Sequence, residues 1–238
     1  MTLKEQGLLK IYQRVFDEYT LRELVKLSTK GHFQSLDFPI STGKEADVYR
    51  ATKRGGGYIA IKIYRIEMSN FRAMQNYMIG DPRFRKTAMD KRSIVTQWCQ
   101  KEYRNLLDAR KAGVRVPKPI KAVNNILLME FLGDSNGCPA PLLRRVAKID
   151  DKKIVSEWIR YIGLLWKKAG IVHGDLNEYN TVIKGRTPYL IDIGQAMSVE
   201  HPTAKDLLKR DLLNVSKYAK KHGVKFDAEK EFEKLAGQ

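Results

Sequence analysis

Apolar residues recur at helical spacing in well-separated stretches of this chain. Val95, Trp98, Cys99, Tyr103, Leu106 and Leu107 give one apolar face to a helix over Ile94–Ala109. Ile154, Val155, Trp158, Ile159, Ile162, Leu165 and Trp166 mark a second, capped by Asp150 or Asp151 and stopped at Gly170. A third runs from Asp206 to Lys221, with Leu207, Leu208, Leu212, Leu213, Val215, Tyr218 and Ala219 inward and Gly223 as its end. Ala228 to Leu235 reads as a short final helix. Near the front, Gln6–Tyr19 predicts one helix and Leu21–Thr29 another, with Thr20 as cap, Glu23 completing a capping box and Gly31 as stop.

Between these stretches the period changes. Val48 to Ala51 alternates, Lys53-Arg54-Gly55-Gly56-Gly57 turns, and Tyr58-Ile59-Ala60-Ile61-Lys62-Ile63-Tyr64 continues as the second arm of a hairpin. A second hairpin follows the rigid connector Val116–Ile120: Lys121–Val123, an Asn124-Asn125 turn suited to positive φ, then Ile126 to Gly133. Tyr189–Ile193 is a further strand-like run. Arg65 to Ser93 shows little periodicity and is long for a connector, so it reads as a mobile, basic insertion. Ser69, Thr87 and Ser93 are its candidate hydroxyls for autophosphorylation.

A sheet-rich half followed by a helix-rich half implies an α+β fold of two lobes around a cleft. The expected division is an N-terminal helical extension over 1–38, a sheet lobe over 39–132 with its insertion at about 65–93, and a helical lobe over 133–238.

The polar residues that interrupt this pattern carry the chemistry. His173-Gly174-Asp175-Leu176-Asn177-Glu178-Tyr179-Asn180 is followed, twelve positions after Asn180, by Asp192 amid isoleucines. Phosphoryl transfer needs an acid to orient a hydroxyl and hard oxygen donors for a divalent metal, and Asp175, Asn180 and Asp192 supply them. The plainer reading is a polar turn with a capping Asn180. An ionised carboxylate among apolar side chains must nevertheless be paired or metal-bound. Upstream, Ser41-Thr42-Gly43-Lys44-Glu45 is a small polar turn whose amides and hydroxyls could cradle a polyphosphate, although a plain hairpin turn explains it as well. Lys62 either snorkels from a sheet edge or pairs with a glutamate while contacting phosphates. Glu102, beside the helical stripe, is its best partner, and Glu45 competes with it.

Composition narrows the class. Forty-four basic against 27 acidic residues leave +17, an attraction for RNA, a ribonucleoprotein, DNA or acidic protein that does not choose among them. No apolar run approaches the ~18 residues of a membrane span, and Met1-Thr2-Leu3-Lys4-Glu5 does not read as a signal peptide. Cys99 and Cys138 lack metal-ligand spacing and suit a reducing, cytoplasmic setting. The four histidines are too scattered for a zinc site.

With these residues assembled, the chain resembles the RIO family of atypical serine/threonine protein kinases, in particular the first RIO subfamily in its archaeal form. The resemblance rests on Ser41 to Tyr49, Ala60-Ile61-Lys62, Met129-Glu130-Phe131, His173 to Asn180 and Leu190-Ile191-Asp192-Ile193-Gly194-Gln195. It implies a trimmed kinase fold, ATP with Mg2+ or Mn2+, and a cradle over the phosphates from Ser41 to Glu45. It further implies a Lys62–Glu102 ion pair, Asp175 as catalytic acid, Asn180 and Asp192 as metal ligands, and backbone contacts to adenine from Glu130 and Leu132. It also implies transient phosphorylation of Asp192 and a part in maturation of the small ribosomal subunit, whose RNA and proteins the basic surface would meet.

His201-Pro202 follows Asp192 by nine positions, leaving little room for a conventional peptide platform. Gly174 and Asn177 stand where the family often has Ala and Ser, and Asp192-Ile193-Gly194 lacks the usual phenylalanine. The expected function is an ATP-dependent atypical kinase and ATPase. The alternatives are a catalytically weak, nucleotide-binding RNA or ribonucleoprotein scaffold and a small-molecule phosphotransferase. The oligomeric state is not legible.

Overall fold

Tyr58–Tyr64 forms the centre of a five-stranded antiparallel sheet whose order explains its near-continuous apolar run. The computed structural model describes residues 16–66, 74, 77, 78, 81, 83 and 90–237. The strands are β1 (Ser35–Thr42), β2 (Ala46–Thr52), β3 (Tyr58–Tyr64), β4 (Pro119–Val123) and β5 (Ile126–Glu130), in the order β1-β2-β3-β5-β4. Ile59, Ile61 and Ile63 point to one face with Ile126 and Leu128, where Leu24 and Leu27 of helix α1 (Glu18–Thr29) join them. Ala60 and Tyr64 belong to the opposite core with Leu127 and Met129, shared with helix α2 (Lys91–Lys111). A strand covered on both faces needs no polar alternation. Lys62 lies on the second face, opposite Val48 and Leu127 in register.

The remaining elements build the helical half. They are α3 (Asp151–Leu164), which continues as a π turn over Leu165–Ala169, the short strands β6 (Ile171–Val172), β7 (Thr181–Lys184), β8 (Thr187–Leu190) and β9 (Met197–Ser198), and helices α4 (Ala204–Lys221) and α5 (Ala228–Ala236). β7 and β8 form one antiparallel pair and β6 and β9 another. Trp158, Tyr161, Leu208, Leu212 and Val215 lie in the core beneath them. Asp150 caps α3 by accepting the Lys153 N–H, and Gly170, at φ 66°, ends the π turn. No described helix is long and apolar enough to cross a membrane.

Several boundaries differ from expectation. β1 begins at Ser35, inside the stretch read as a helical extension; Pro39 and a register shift break its alternation and hid it. Thr20 is not the cap of α1. Asp17 accepts the Thr20 N–H at 3.0 Å and the Thr20 hydroxyl at 2.7 Å, while that hydroxyl accepts from Asn125 Nδ2 at 2.9 Å. The helix therefore starts at Glu18, and Thr20 anchors it to the β4–β5 turn, where Asn124 has the expected positive φ. The Gln6–Tyr19 helix lies largely outside the described residues, and its last two members belong to α1 because Asp17 is extended.

β5 stops at Glu130 rather than Gly133, and β8 stops at Leu190, before Asp192. Leu107 and Leu213 are exposed, so their stripes are narrower than read. Most of the 65–93 insertion, with Ser69 and Thr87, lies outside the described residues. Its described members Met74, Met78 and Asp81 are buried, and Ser93 sits in the first turn of α2 with its N–H capped by Asp90.

Candidate functional site

Three charged side chains from distant parts of the chain meet between the sheet and the helical half. Lys62 Nζ donates to both Glu102 oxygens, at 2.7 and 3.0 Å, and to Asp192 Oδ1 at 2.8 Å. β3 supplies the lysine, α2 the glutamate and the loop after β8 the aspartate. Glu102, on the buried side of α2, takes the position for which Glu45 competed; Glu45 lies near enough to add to the negative field around it. Burial works against the Lys62 charge, but the Asp192 and Glu102 carboxylates outweigh it and raise its pKa. Burial likewise pushes Glu102 up against the pull of Lys62. One ammonium within 3.0 Å of both Glu102 oxygens is the geometry of an ionised pair.

Asp192 differs from Glu102 in its setting. Its side chain is 53% exposed, against 2% for Glu102. Lys62 holds its carboxyl below the ordinary carboxylate range, ahead of the opposing effect of burial. The backbone of Asp192 is left-handed, φ 58°, a conformation that Asp tolerates better than most residues but that still needs support.

Asp175 and Asn180 are joined directly. Asn180 Nδ2 donates to Asp175 Oδ2 at 2.8 Å and to its carbonyl at 2.9 Å, which leaves the amide oxygen of Asn180 as its donor atom toward a cation. Ile191 N–H donates to the Asn180 carbonyl at 2.9 Å, tying the segment before Asp192 to the same loop. The two oxygen donors, one from each of Asn180 and Asp192, are few for an all-protein cage; among the described residues no cluster of three or more His, Cys, Asp or Glu could hold a metal. Such a pair suits Mg2+, which keeps waters and shares its shell with phosphates.

Ser41, Thr42, Gly43 and Lys44 are exposed at the β1–β2 turn, where Gly43 N–H donates to the Ala46 carbonyl at 3.0 Å. The pairing Ser41–Val48–Lys62 across three strands puts this turn at the sheet end nearest the lysine. At the other end, Glu130 N–H donates to the Lys118 carbonyl at 2.8 Å, and the Leu132 carbonyl accepts from Ala140 N–H at 2.8 Å. Gly133 beyond them is obligatory in this packing, because a Cβ there would lie 2.2 Å from the Phe131 ring and 2.4 Å from the Cys138 carbonyl.

Two residues acquire a supporting role only in the structure: Asn177, noted in sequence merely as a departure from the family pattern, and Asp211, which sequence did not single out. Asn177 donates through Nδ2 to Asp175 Oδ1 at 3.1 Å and accepts the Tyr179 and Asn180 amides at 2.8 and 3.1 Å, so it fixes both the acid and the turn. Asp211, fully buried on α4, accepts Gly174 N–H at 2.8 Å and Leu176 N–H at 2.9 Å. Burial raises its pKa against the field of His173 and these two amides. Its sequence signal is an acid on the inward stripe between Leu208 and Leu212. Asp211→Ala would strand two buried amides, each worth about 1–3 kcal/mol. Urea unfolding should therefore show a loss of about 2–6 kcal/mol, and a loss below about 1 kcal/mol would contradict this anchoring role.

Similarity to known proteins identifies the family. The RIO domain model matches residues 47–234. The RIO-type serine/threonine-protein kinase Rio1 of Haloferax volcanii is 40% identical over 237 residues, covering 100% of this chain and 81% of that protein. Its counterpart in Methanocaldococcus jannaschii is 36% identical, with 91% and 73% covered. The human serine/threonine-protein kinase RIO1 is 35% identical, covering 89% of this chain but 38% of its own length. Among solved structures, the Rio2 kinase of Chaetomium thermophilum superposes with a TM-score of 0.69 at 22% identity, covering 89% of this chain and 66% of that one. The same kinase as an ADP/Mg2+-phosphoaspartate complex gives 0.68, covering 90% and 66%. A charged triangle of Lys62, Glu102 and Asp192 on a two-lobed frame, matched along most of its length by Rio1 proteins, places this chain in the RIO family of serine/threonine kinases, in its Rio1 branch.

Proposed function

We propose that this chain is an ATP-dependent atypical serine/threonine kinase and ATPase that acts on a precursor of the small ribosomal subunit. The observation that carries the reading is Lys62 Nζ held between a buried Glu102 and a half-exposed Asp192, with Asn180 and Asp175 hydrogen-bonded to each other on the adjoining loop. Glu102 orients Lys62 toward the phosphates, Asn180 and Asp192 would hold Mg2+, and Asp175 orients the incoming hydroxyl or water. The Ser41–Glu45 turn covers the phosphates. The amide of Glu130 and the carbonyl of Leu132 are already engaged, so the adenine edge is read by the Glu130 carbonyl and the Leu132 amide.

Bound Mg2+ would supply charge neutralisation along the phosphates. The chain's own part is to keep Asp192 ionised through Lys62 and to hold Asp175 in place through Asn177 and Asn180. The net charge of +17 and the exposed Lys118, Arg144, Arg145, Lys217, Lys220, Lys221 and Lys225 support a docking face for ribosomal RNA and its proteins. Phosphate release by the wild type should require Mg2+ and rise with purified small-subunit precursor. Asp175→Ala should lower it by about 10²–10⁴-fold. Undiminished release by Asp175→Ala would remove Asp175 from the chemistry, and no response to the precursor would remove the ribosomal assignment.

A further inference from the structure

Helix α2 presents more than Glu102 to the site. Lys101 and Asn105, both fully buried, lie on the same side of the helix. Lys101 Nζ donates to the Gly194 carbonyl at 2.7 Å and to the Ala196 carbonyl. Asn105 Nδ2 donates to the Ile193 carbonyl at 2.8 Å and to the Ala196 carbonyl at 3.1 Å. All three acceptors lie within four residues of Asp192, in a loop that Ala196 N–H closes by donating to the Ile193 carbonyl at 3.2 Å.

Packing alone does not call for a lysine here. A buried ammonium is costly to desolvate, and an apolar side chain of the same length would fill the space without that cost. Burial and the nearby Arg83 guanidinium lower the Lys101 pKa to about 7, against the opposing field of Asp81, and the Trp98 ring lies 5.1 Å from Nζ. What lysine and asparagine offer is donors aimed at carbonyls that an irregular buried loop would otherwise leave unpaired. The amide of Asn105 is itself oriented: Arg83 Nη1 donates to its oxygen at 2.9 Å, and Asp81 grips Arg83 at 2.7 and 2.9 Å.

We propose that Lys101 and Asn105 are positioning residues that clamp the loop after Asp192 to α2, so that the helix carrying Glu102 also sets where Asp192 stands. One helix then controls both carboxylates of Lys62, and Arg83 extends the control to the segment that precedes α2. A shift of α2 would move the ion-pair partner and the metal-binding carboxylate together. The inference rests on the reading of Asp192 as a metal ligand given above.

Lys101→Met and Asn105→Ala test it in two measurements on the full chain. Hydrogen exchange of the 193–196 amides, without any ligand, reads the clamp itself. Calorimetric affinity for ADP, with and without Mg2+, reads its effect on the metal site. Each variant should accelerate exchange in that segment, and the gain in ADP affinity on adding Mg2+ should shrink by about ten-fold, as for supporting contacts around other metal sites, while metal-free ADP affinity stays within about two-fold. A folded variant with wild-type exchange and a wild-type Mg2+ gain would overturn the proposal. If Lys101→Met does not fold, Asn105→Ala carries the same comparison. If the wild type itself shows no Mg2+ gain, the metal assignment fails, and the exchange measurement still decides whether the clamp exists.

Discussion

Asp192→Asn is expected to abolish phosphate release, by about 10³-fold or more, while the protein stays folded. The size follows from what one oxygen must do. Replacing the carboxylate with an amide removes the negative charge that binds the cation, and losing several kcal/mol of metal-assisted stabilisation means a factor of ten for each 1.4 or so. The fold should tolerate the change because the side chain is half exposed and Lys62 keeps its bidentate contact with Glu102. Turnover and urea unfolding of the same preparation check both halves; turnover within about ten-fold of wild type would exclude Asp192 as the metal ligand.

The same carboxylate separates two chemistries. If Asp192 attacks the γ-phosphorus, its oxygen forms the new bond as the bond to the ADP oxygen breaks, and water later releases phosphate and restores the carboxylate. Denatured enzyme quenched during turnover of labelled ATP would then carry a hydroxylamine-sensitive label in the wild type and none in Asp192→Asn. A turnover-competent wild type with no such label would leave Asp192 as a ligand alone. The pH dependence has a definite sign. Lys62 depresses the folded pKa of Asp192 below its ordinary 3.8, so the pairing is present above that value and lost only as pH falls through the lower, folded one. Turnover near neutrality should carry no acid limb from this group.

The site was more legible than the strands that frame it. Lys62 and Asp192 each interrupt an apolar run, and a charge where periodicity asks for an apolar residue is visible without a fold; Asp175 and Asn180 stand out only by their spacing within a polar segment. β1 was not visible, because Pro39 and the register shifts beside it remove the alternation that marks a strand. Thr20 reads as a cap because a hydroxyl before an apolar stripe satisfies the rule; Asp17, three residues earlier, does so in the fold with two hydrogen bonds. Asp211, Lys101 and Asn105 escaped for another reason. The groups they hold near the site are backbone carbonyls and amides 35 to 95 residues away, and main-chain partners leave no residue-type signature. Sequence shows which groups are unusual, whereas only the assembled fold shows what they hold.

Lys62→Met is expected to cost about 3–5 kcal/mol of stability as well as all measurable turnover, because it leaves Glu102 buried without its cation. The double variant Lys62→Met with Glu102→Met separates the two losses. With both charges gone the space is filled by apolar side chains of similar volume, so stability should return to within about 1 kcal/mol of wild type or exceed it. Turnover should not return, since the ammonium of Lys62 no longer faces the phosphates. The single variant carries its own check through pH. Without Lys62, burial and the fields of Asp192 and Glu45 act unopposed on Glu102 and raise its folded pKa above the unfolded value, so the penalty is absent below that unfolded value and grows as pH rises toward the folded one. The stability gap between Lys62→Met and wild type should therefore be larger at about pH 8 than at about pH 5. A pH-independent gap would mean that lost packing around the lysine stem, rather than an uncompensated carboxylate, makes Lys62 necessary. A double variant no more stable than the single one would lead to the same conclusion, and Glu102 would then serve to aim Lys62 without depending on it for burial.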